Sequence, residues 1–316
     1  MPEIQVVRYP EQVDLPAIAE LLSAASEADA HPALGEHAWL DLVQGGREGF
    51  AGLVAWEEGH PHPVGFAHLS LGQHGGAGDD RMSWALEVVV DPHHRTLGNT
   101  VAIDLVRKAI DIIVSEGGGH LHLWANQPGP LHDRMAAASG LSPGRALYQM
   151  RRRLPAEEHA TITVRTFRVG YDDKAWLEVN NRAFSWHPEQ GGWTEETLKA
   201  RQAQPWFDPA GFLLYEREGR LAGFCWTKVH HTHALPVGEI YVIAVDPDFS
   251  GQGLGRQLTL AGVDYLTAQG ISDAMLYVDA TNSRAVKLYV DLGFAVNHID
   301  RAYTGDIAPA VGLATP

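Results

Sequence analysis

Apolar and polar positions along the chain fall into two similar series. The stretches "EVVVDPHHRTLGNTVAIDLV" (87–106) and "VIAVDPDFSGQGLGRQLTLA" (242–261) each run from β-branched residues into Val-Asp-Pro. Each then passes a glycine-containing turn and continues with apolar positions three and four apart. That pattern predicts a strand, a turn and an amphipathic helix. Val90-Asp91-Pro92 and Val245-Asp246-Pro247 lie 155 residues apart, close to half of the 316-residue chain. The similarity extends outward, because "LHLWANQPGPLHDRMAAASGL" (121–141) aligns with "AMLYVDATNSRAVKLYVDLGF" (274–294) and "VVRYP" near the start with "TVRTF" (163–167). A pattern of this length occurring twice predicts two similar domains, 1–154 and 161–305. The aperiodic "LPAEEHA" (154–160) reads as their linker and 306–316 as a loose tail.

Within the second half the pattern predicts a strand at "TITVRTF", helices over 173–184 and 195–203, and strands at "GFLLYER", "LAGFCWTKV" and "EIYVIAV". A helix after Gly255, the strand "AMLYVDA" and a helix over 285–292 complete it. Strands interleaved with helices predict an α/β fold, an α+β mixed sheet with helices on both faces.

Composition narrows the function. With 45% hydrophobic and 20% charged residues the chain has the balance of a folded globular protein. Twenty-four basic residues against 39 acidic ones leave a net charge of −15, which disfavours nucleic acid and anionic membranes as partners. The single cysteine, Cys225, excludes an internal disulfide framework and a cysteine-based zinc cluster. The amino terminus lacks the order of a signal peptide, and no segment approaches the ~20 apolar residues of a membrane span. The expectation is a cytoplasmic monomer acting on a small molecule.

The chemistry starts at "DPDFSGQGLGR" (246–256), between a strand and a helix. Its glycines 251, 253 and 255 let backbone N–H groups converge in front of a helix N-terminus, which suits a pyrophosphate. The spacing matches neither the dinucleotide fingerprint nor the P-loop lysine motif. It resembles the acetyl-CoA loop of GCN5-related N-acetyltransferases, with Ser250 where that pattern has Gln or Arg. Further motifs sharpen the resemblance: "VNNRAFSWHPEQGGWT" (179–194), "PWFDPAGFLLYE" (205–216), "WTKVH" (226–230), "GEIYVIAVDP" (238–247) and "LYVDATNSRAVKLYVDLGF" (276–294). In this order they resemble the mycothiol synthase family, tandem acetyltransferases of the same superfamily. The first half is similar more loosely, through the duplication, Gly35-Glu36 and "YQMRRRL".

The resemblance implies acetyl transfer from acetyl-CoA to the cysteinyl amine of a cysteine–glucosamine–inositol conjugate, a thiol-sugar substrate. It implies Glu239 as the base that takes the amine proton and Tyr289 as the acid serving the CoA thiolate. Glu36, Glu189, Lys228, Glu239 and Tyr277 fall on substrate positions. Backbone amides of Ile243, Ala244 and Val245, the loop Ser250, Gly251, Gln252, Gly253, Leu254, Gly255 and Arg256, and the helix start Asn282, Ser283, Arg284, Ala285, Val286 and Lys287 fall on CoA positions. In the first half Trp84 and Ala136 stand where the base and acid would be, and "RTLGNT" keeps Gly98 but has Thr100 for the second glycine. That half is expected to be scaffold, with at most a weak second CoA site at Val88, Val89, Val90 and Gly98. An acetyltransferase for another small amine or amino sugar, or a non-catalytic acyl-CoA-binding module, are the alternative readings. No metal is expected: the histidines of "HPHP" (60–63) and "HHTH" (230–233) lack a recognised ligand spacing and read as loop residues. Cys225 reads as a packed thiol.

Overall fold

The computed structural model describes residues 2–9, 14–29, 31–44, 49–72, 82–96, 98–185, 190–231 and 235–310. Two contact units divide the chain, Met1–Arg145 with Asp300–Pro316, and Ala146–Ile299. The first contains β1 (Glu3–Val7), α1 (Leu15–Asp29), α2 (Glu36–Gln44), β2 (Ala51–Trp56), β3 (Gly65–Leu71), β4 (Ser83–Val90), α3 (Val101–Ser115), β5 (Gly119–Ala125) and α4 (Pro130–Ala138). Its strand order is β1-β2-β3-β4-β5, followed by β12 (Ala295–Ile307). The second contains β6 (Ser142–Arg153), β7 (Arg165–Thr166), α5 (Asp173–Ala183), α6 (Glu195–Gln202), β8 (Phe212–Arg217), β9 (Arg220–His230), β10 (Val237–Val245), α7 (Leu254–Ala268), β11 (Asp273–Asp279) and α8 (Ser283–Asp291). Its order is β6-β11-β10-β9-β8-β7. β4–β5 and β10–β11 are parallel pairs at equivalent places in the two units, so the duplication read from the sequence is a duplication of topology.

The units are drawn differently from the boundaries 1–154 and 161–305. Residues 147–153 of β6 pair with β11 in the second unit, and residues 301–307 of β12 pair with β5 in the first. Repeat boundaries follow sequence similarity, whereas contact units follow hydrogen-bonded ladders, and here the strand after each last helix pairs in the other unit. For the same reason Asp306 and Ile307, expected in a loose tail, are laddered to His120 and Gly119. Segment 154–160 is also anchored: Glu158 accepts from Arg256, while His159 and the Ala160 N–H meet Asp264 on α7. The Thr161 N–H donates to Gln257, and the strand expected at 161–167 shortens to Arg165–Thr166.

Val-Asp-Pro has one local role in both units. Asp91 and Asp246 accept backbone N–H groups from His93 and Asp248, capping the short 3₁₀ turns Pro92–His94 and Pro247–Phe249, with proline at the first position where no N–H is needed.

In the second unit, alternation along β9 sends Phe224 and Trp226 to one face and Cys225 to the other. α7 covers the Cys225 face with Leu258, Val263 and Leu266. It lies close because residue 262 is glycine: a Cβ there would sit 2.5 Å from Cys225 Sγ and 2.6 Å from Ile240 Cδ1. α5 and α6 cover the other face through Trp176 and Leu198, against Phe212, Phe224 and Trp226. Phe212 stacks on Trp226 at 4.3 Å, and such aromatic pairs contribute roughly 0.5–1.5 kcal/mol beyond area burial. The first unit repeats the plan, with Leu105, Val106 and Ile113 of α3 on one face and Ile18, Leu21 and Leu42 of α1 and α2 on the other.

Candidate active site

An opening in the second sheet organises the site. β10 pairs with β11 only over Gly238–Ile240, while on its other edge it stays paired with β9 through Val245. β11 continues along β6 to Asp279. Backbone groups of Val242–Val245 that face away from β9 therefore have no strand partner among the described residues. A register shift between Ile240 and Val242 marks a bulge at Tyr241, the usual device for bending a strand out of a ladder beside a site. Ile243, Ala244 and Val245 lie along the opening, and the backbone groups among them that are not bonded to β9 face it.

Directly after β10 lies the glycine loop. Gly251 and Gly253 have φ of +78° and +77°, a left-handed conformation that glycine adopts without penalty. Gly253 is the N-cap of α7, and no side chain caps that helix. The first-turn N–H groups of Leu254, Gly255 and Arg256 are left to an external acceptor, which is the arrangement that binds anions. The Gln252 carboxamide accepts from Arg217, and Arg256 is held by Glu158 at 2.7 and 2.8 Å. Cationic groups therefore border the loop without filling it. At α8 the Asn282 carboxamide oxygen accepts the Ala285 N–H at 3.1 Å, so that oxygen is committed to the helix cap.

One face of the sheet carries the polar groups. Glu239 is 7% exposed and stands in register with Lys228. His230 Nε2 lies 2.6 Å from Glu239 Oε2, so the imidazole N–H donates to the carboxylate. His230 is therefore a strand residue bonded to the candidate base, not the loop histidine expected from "HHTH"; Thr232 and His233 of that run lie outside the described residues. Lys228 places its ammonium 4.2 Å from the Trp206 ring and 5.2 Å from Tyr241, where aromatic faces attract a cation. On β11, Tyr277 is 40% exposed, and its hydroxyl accepts from Gln149 Nε2 at 2.8 Å. Gln149 in turn accepts from Arg151 at 2.9 Å and from Asn297 at 3.1 Å. Sequence reasoning missed His230, Gln149 and Arg151. The signal was the period-two alternation of "WTKVH" and "YQMRRRL", which sets Lys228 with His230 and Gln149 with Arg151 on common faces.

Tyr289 is the buried residue of α8, packed into the core on the Cys225 face and against Phe294. Burial, reinforced by the neighbouring Cys225 thiol, holds its hydroxyl above the ordinary phenol range, so it keeps its proton at neutral pH. Cys225 is wholly buried and its thiol is likewise pushed up by burial, as a packed residue. Glu189 lies outside the described residues. Glu36 begins α2 in the first unit.

The first unit keeps part of this apparatus. β4 pairs with β5 only as far as Glu87, so Val88, Val89 and Val90 repeat the opening. Trp84 and Ala136, at the base and acid positions, are buried in its core. At its helix start Asn99 Oδ1 accepts the Val101 N–H at 2.8 Å, so one first-turn donor is taken within the chain.

Comparison with known proteins agrees with this geometry. The Acetyltransferase (GNAT) family model matches residues 175–294. A mycothiol acetyltransferase of Acidimicrobium ferrooxidans is 41% identical over 95% of this chain and 96% of its own. One from Thermobispora bispora is 43% identical over 92% and 95%. The crystal structure of a GCN5-related N-acetyltransferase from Sphaerobacter thermophilus superposes with a TM-score of 0.68 at 22% identity, covering 99% of this chain and 98% of that one. No described helix is long and apolar enough to cross a membrane. With the opened strand pair, the uncapped glycine loop and relatives of more than 40% identity along nearly the whole length, this chain belongs to the mycothiol acetyltransferase family of GCN5-related N-acetyltransferases.

Proposed function

We propose that the protein transfers acetyl from acetyl-CoA to the cysteinyl amine of the cysteine–glucosamine–inositol conjugate, giving mycothiol. The observation that carries this is the buried Glu239, bonded to His230, beside the opening between β10 and β11. An α-amino group has a pKa near 7.7–8.0, so only about a tenth is neutral and nucleophilic at pH 7. Glu239, held by the His230 N–H, accepts the amine proton directly or through water. The amine nitrogen attacks the thioester carbon, backbone amides of Ile243, Ala244 and Val245 hold the resulting oxyanion, and the C–S bond breaks. Lys228 and Tyr277 on the same face, with Glu189, bind the sugar conjugate. Residues 250–256 and 282–287 hold the CoA phosphates and pantetheine. The first unit is scaffold, with a weak second CoA site at Val88, Val89, Val90 and Gly98. Incubating the purified protein with [acetyl-¹⁴C]CoA and the unacetylated conjugate tests this reading: label should enter the conjugate in preference to glucosamine or free cysteine, and equal labelling of all three would defeat it.

Tyr289 helps the departing sulfur as a hydrogen-bond donor. Because its proton is held tightly, complete transfer would leave a buried phenolate, and donation to the forming thiolate is the favourable part. A thiol with pKa near 8.5 is already a tolerable leaving group. Tyr289→Phe should therefore lower kcat only partly, by about tenfold, the worth of one hydrogen bond to a charged group. The loss should shrink with an acetyl donor of more acidic thiol. The same loss with both donors, or a drop in melting temperature without a loss of rate, would mark Tyr289 as a core residue only.

His230 acts as a positioning residue through Glu239. His230→Phe should reduce kcat by about tenfold with the acetyl-CoA KM unchanged, whereas His230→Gln, which retains an N–H donor, should recover most of the rate. Steady-state kinetics of the pair separates this from packing, because a packing role would be served better by phenylalanine.

A further inference from the structure

The two Val-Asp-Pro turns differ in what neutralises their buried aspartate. In the second unit Asp246, 1% exposed, receives Arg182 Nη1 at 2.8 Å. In the first, Asp91 is 2% exposed and faces histidines instead. His94 Nδ1 is 3.2 Å from Asp91 Oδ1, and His62 Nε2 is 3.7 Å from Oδ2. His60 joins them, its ring 4.8 Å from that of His62 and 5.1 Å from that of His94. One ligand atom from each of His60, Asp91 and His94 lies within 4.8 Å of the other two. Glu57 Oε2 stands 2.7 Å from His94 Nε2 at the edge of the group.

The loop that brings His60 and His62 is built to hold them. It reads His60-Pro61-His62-Pro63, and two prolines restrict its backbone. His60 Nδ1 is 3.1 Å from the His62 carbonyl, and His62 Nδ1 is 3.0 Å from that of Pro63. A ring that donates from Nδ1 to a carbonyl carries its lone pair on Nε2, the second-shell arrangement found for metal-ligating histidines. We infer that His60, Asp91 and His94 bind a divalent late first-row transition-metal ion, with His62 or Glu57 available as a fourth ligand. Imidazole nitrogens with one carboxylate suit zinc, nickel or copper rather than magnesium or calcium. Tetrahedral zinc with bonds of 2.0–2.1 Å sets ligand atoms about 3.3 Å apart, so the group closes on the ion by side-chain rotation. The ion ties the β2–β3 loop to the turn after β4 and takes the place that Arg182 fills in the second unit. The residues come from separate loops, and for that reason no motif spacing showed them.

The test uses tag-free, metal-stripped full-length protein titrated with zinc chloride by calorimetry. One saturable equivalent is expected, with a rise in melting temperature at saturation. The His60→Ala/His94→Ala double variant should lose that equivalent or bind it about 100-fold more weakly, while His159→Ala, at the exposed pair with Asp264, should behave as the wild type. Should the double variant fold poorly, His60→Gln alone must show the same direction of loss. Absence of a saturable equivalent in the wild type, or equal affinity in the His60 variants, overturns the site.

Discussion

Glu239→Gln is expected to lower kcat by a factor of about 10² to 10⁴ while leaving the Kd of acetyl-CoA within about twofold, because a positioned base contributes to proton transfer and not to cofactor binding. The geometry makes the substitution clean. Glutamine keeps the shape of a side chain that is 7% exposed and retains an oxygen to accept the His230 N–H, so neither the cavity nor the strand register changes. What disappears is a carboxylate able to take a proton. Turnover measured from pH 6 to 9 should recover partly at high pH, where the amine is already neutral and needs no base. Titration calorimetry with CoA supplies the second readout. Unchanged turnover across that range would remove Glu239 from the mechanism, and a matching loss of CoA affinity would place it in the cofactor site.

How much of this was legible beforehand depended on whether the cause was local. Val-Asp-Pro, the glycine turn and the apolar spacing of α7 and α8 are written in adjacent residues, and these elements formed where the pattern put them. The opening at Ile243–Val245 was anticipated through the family resemblance and emerged in the ladder. The His230–Glu239 bond depends on antiparallel register between two strands, and nothing in "HHTH" distinguishes a strand end from a loop. The unit boundary was hidden for a related reason. β6 and β12 have ordinary strand sequences, and which neighbour each adds to is a long-range choice. Segment 161–164 illustrates the converse, an alternating stretch whose first N–H is taken by Gln257 of a helix instead of by a strand.

The loop glycines give the other large effect, and the two halves of the chain serve as each other's control. At Gly255 an added Cβ would meet only Leu288 Cδ2, at 3.5 Å, and at Gly253 nothing within 4 Å, so neither position is closed by neighbouring atoms. The space a valine takes is the space in front of the uncapped α7 amides. Gly255→Val is therefore expected to raise the acetyl-CoA KM by at least about 100-fold with the melting temperature nearly unchanged, since loss of two or more N–H bonds to a phosphate is worth that much. Adding Gly253→Val should abolish measurable turnover, because residue 253 is also held at φ +77°, where a β-branched side chain is strained. Gly98→Val, at the corresponding loop of the first unit, likewise meets nothing within 4 Å, and Gly98 is not among the positive-φ glycines. Its turnover should stay within about twofold of the wild type, since the Val101 N–H behind that loop is already taken by Asn99 and the buried Trp84 and Ala136 supply neither base nor acid. Equal loss from Gly98→Val and Gly255→Val, in variants of unchanged stability, would make the first unit a working partner in CoA binding and not a scaffold.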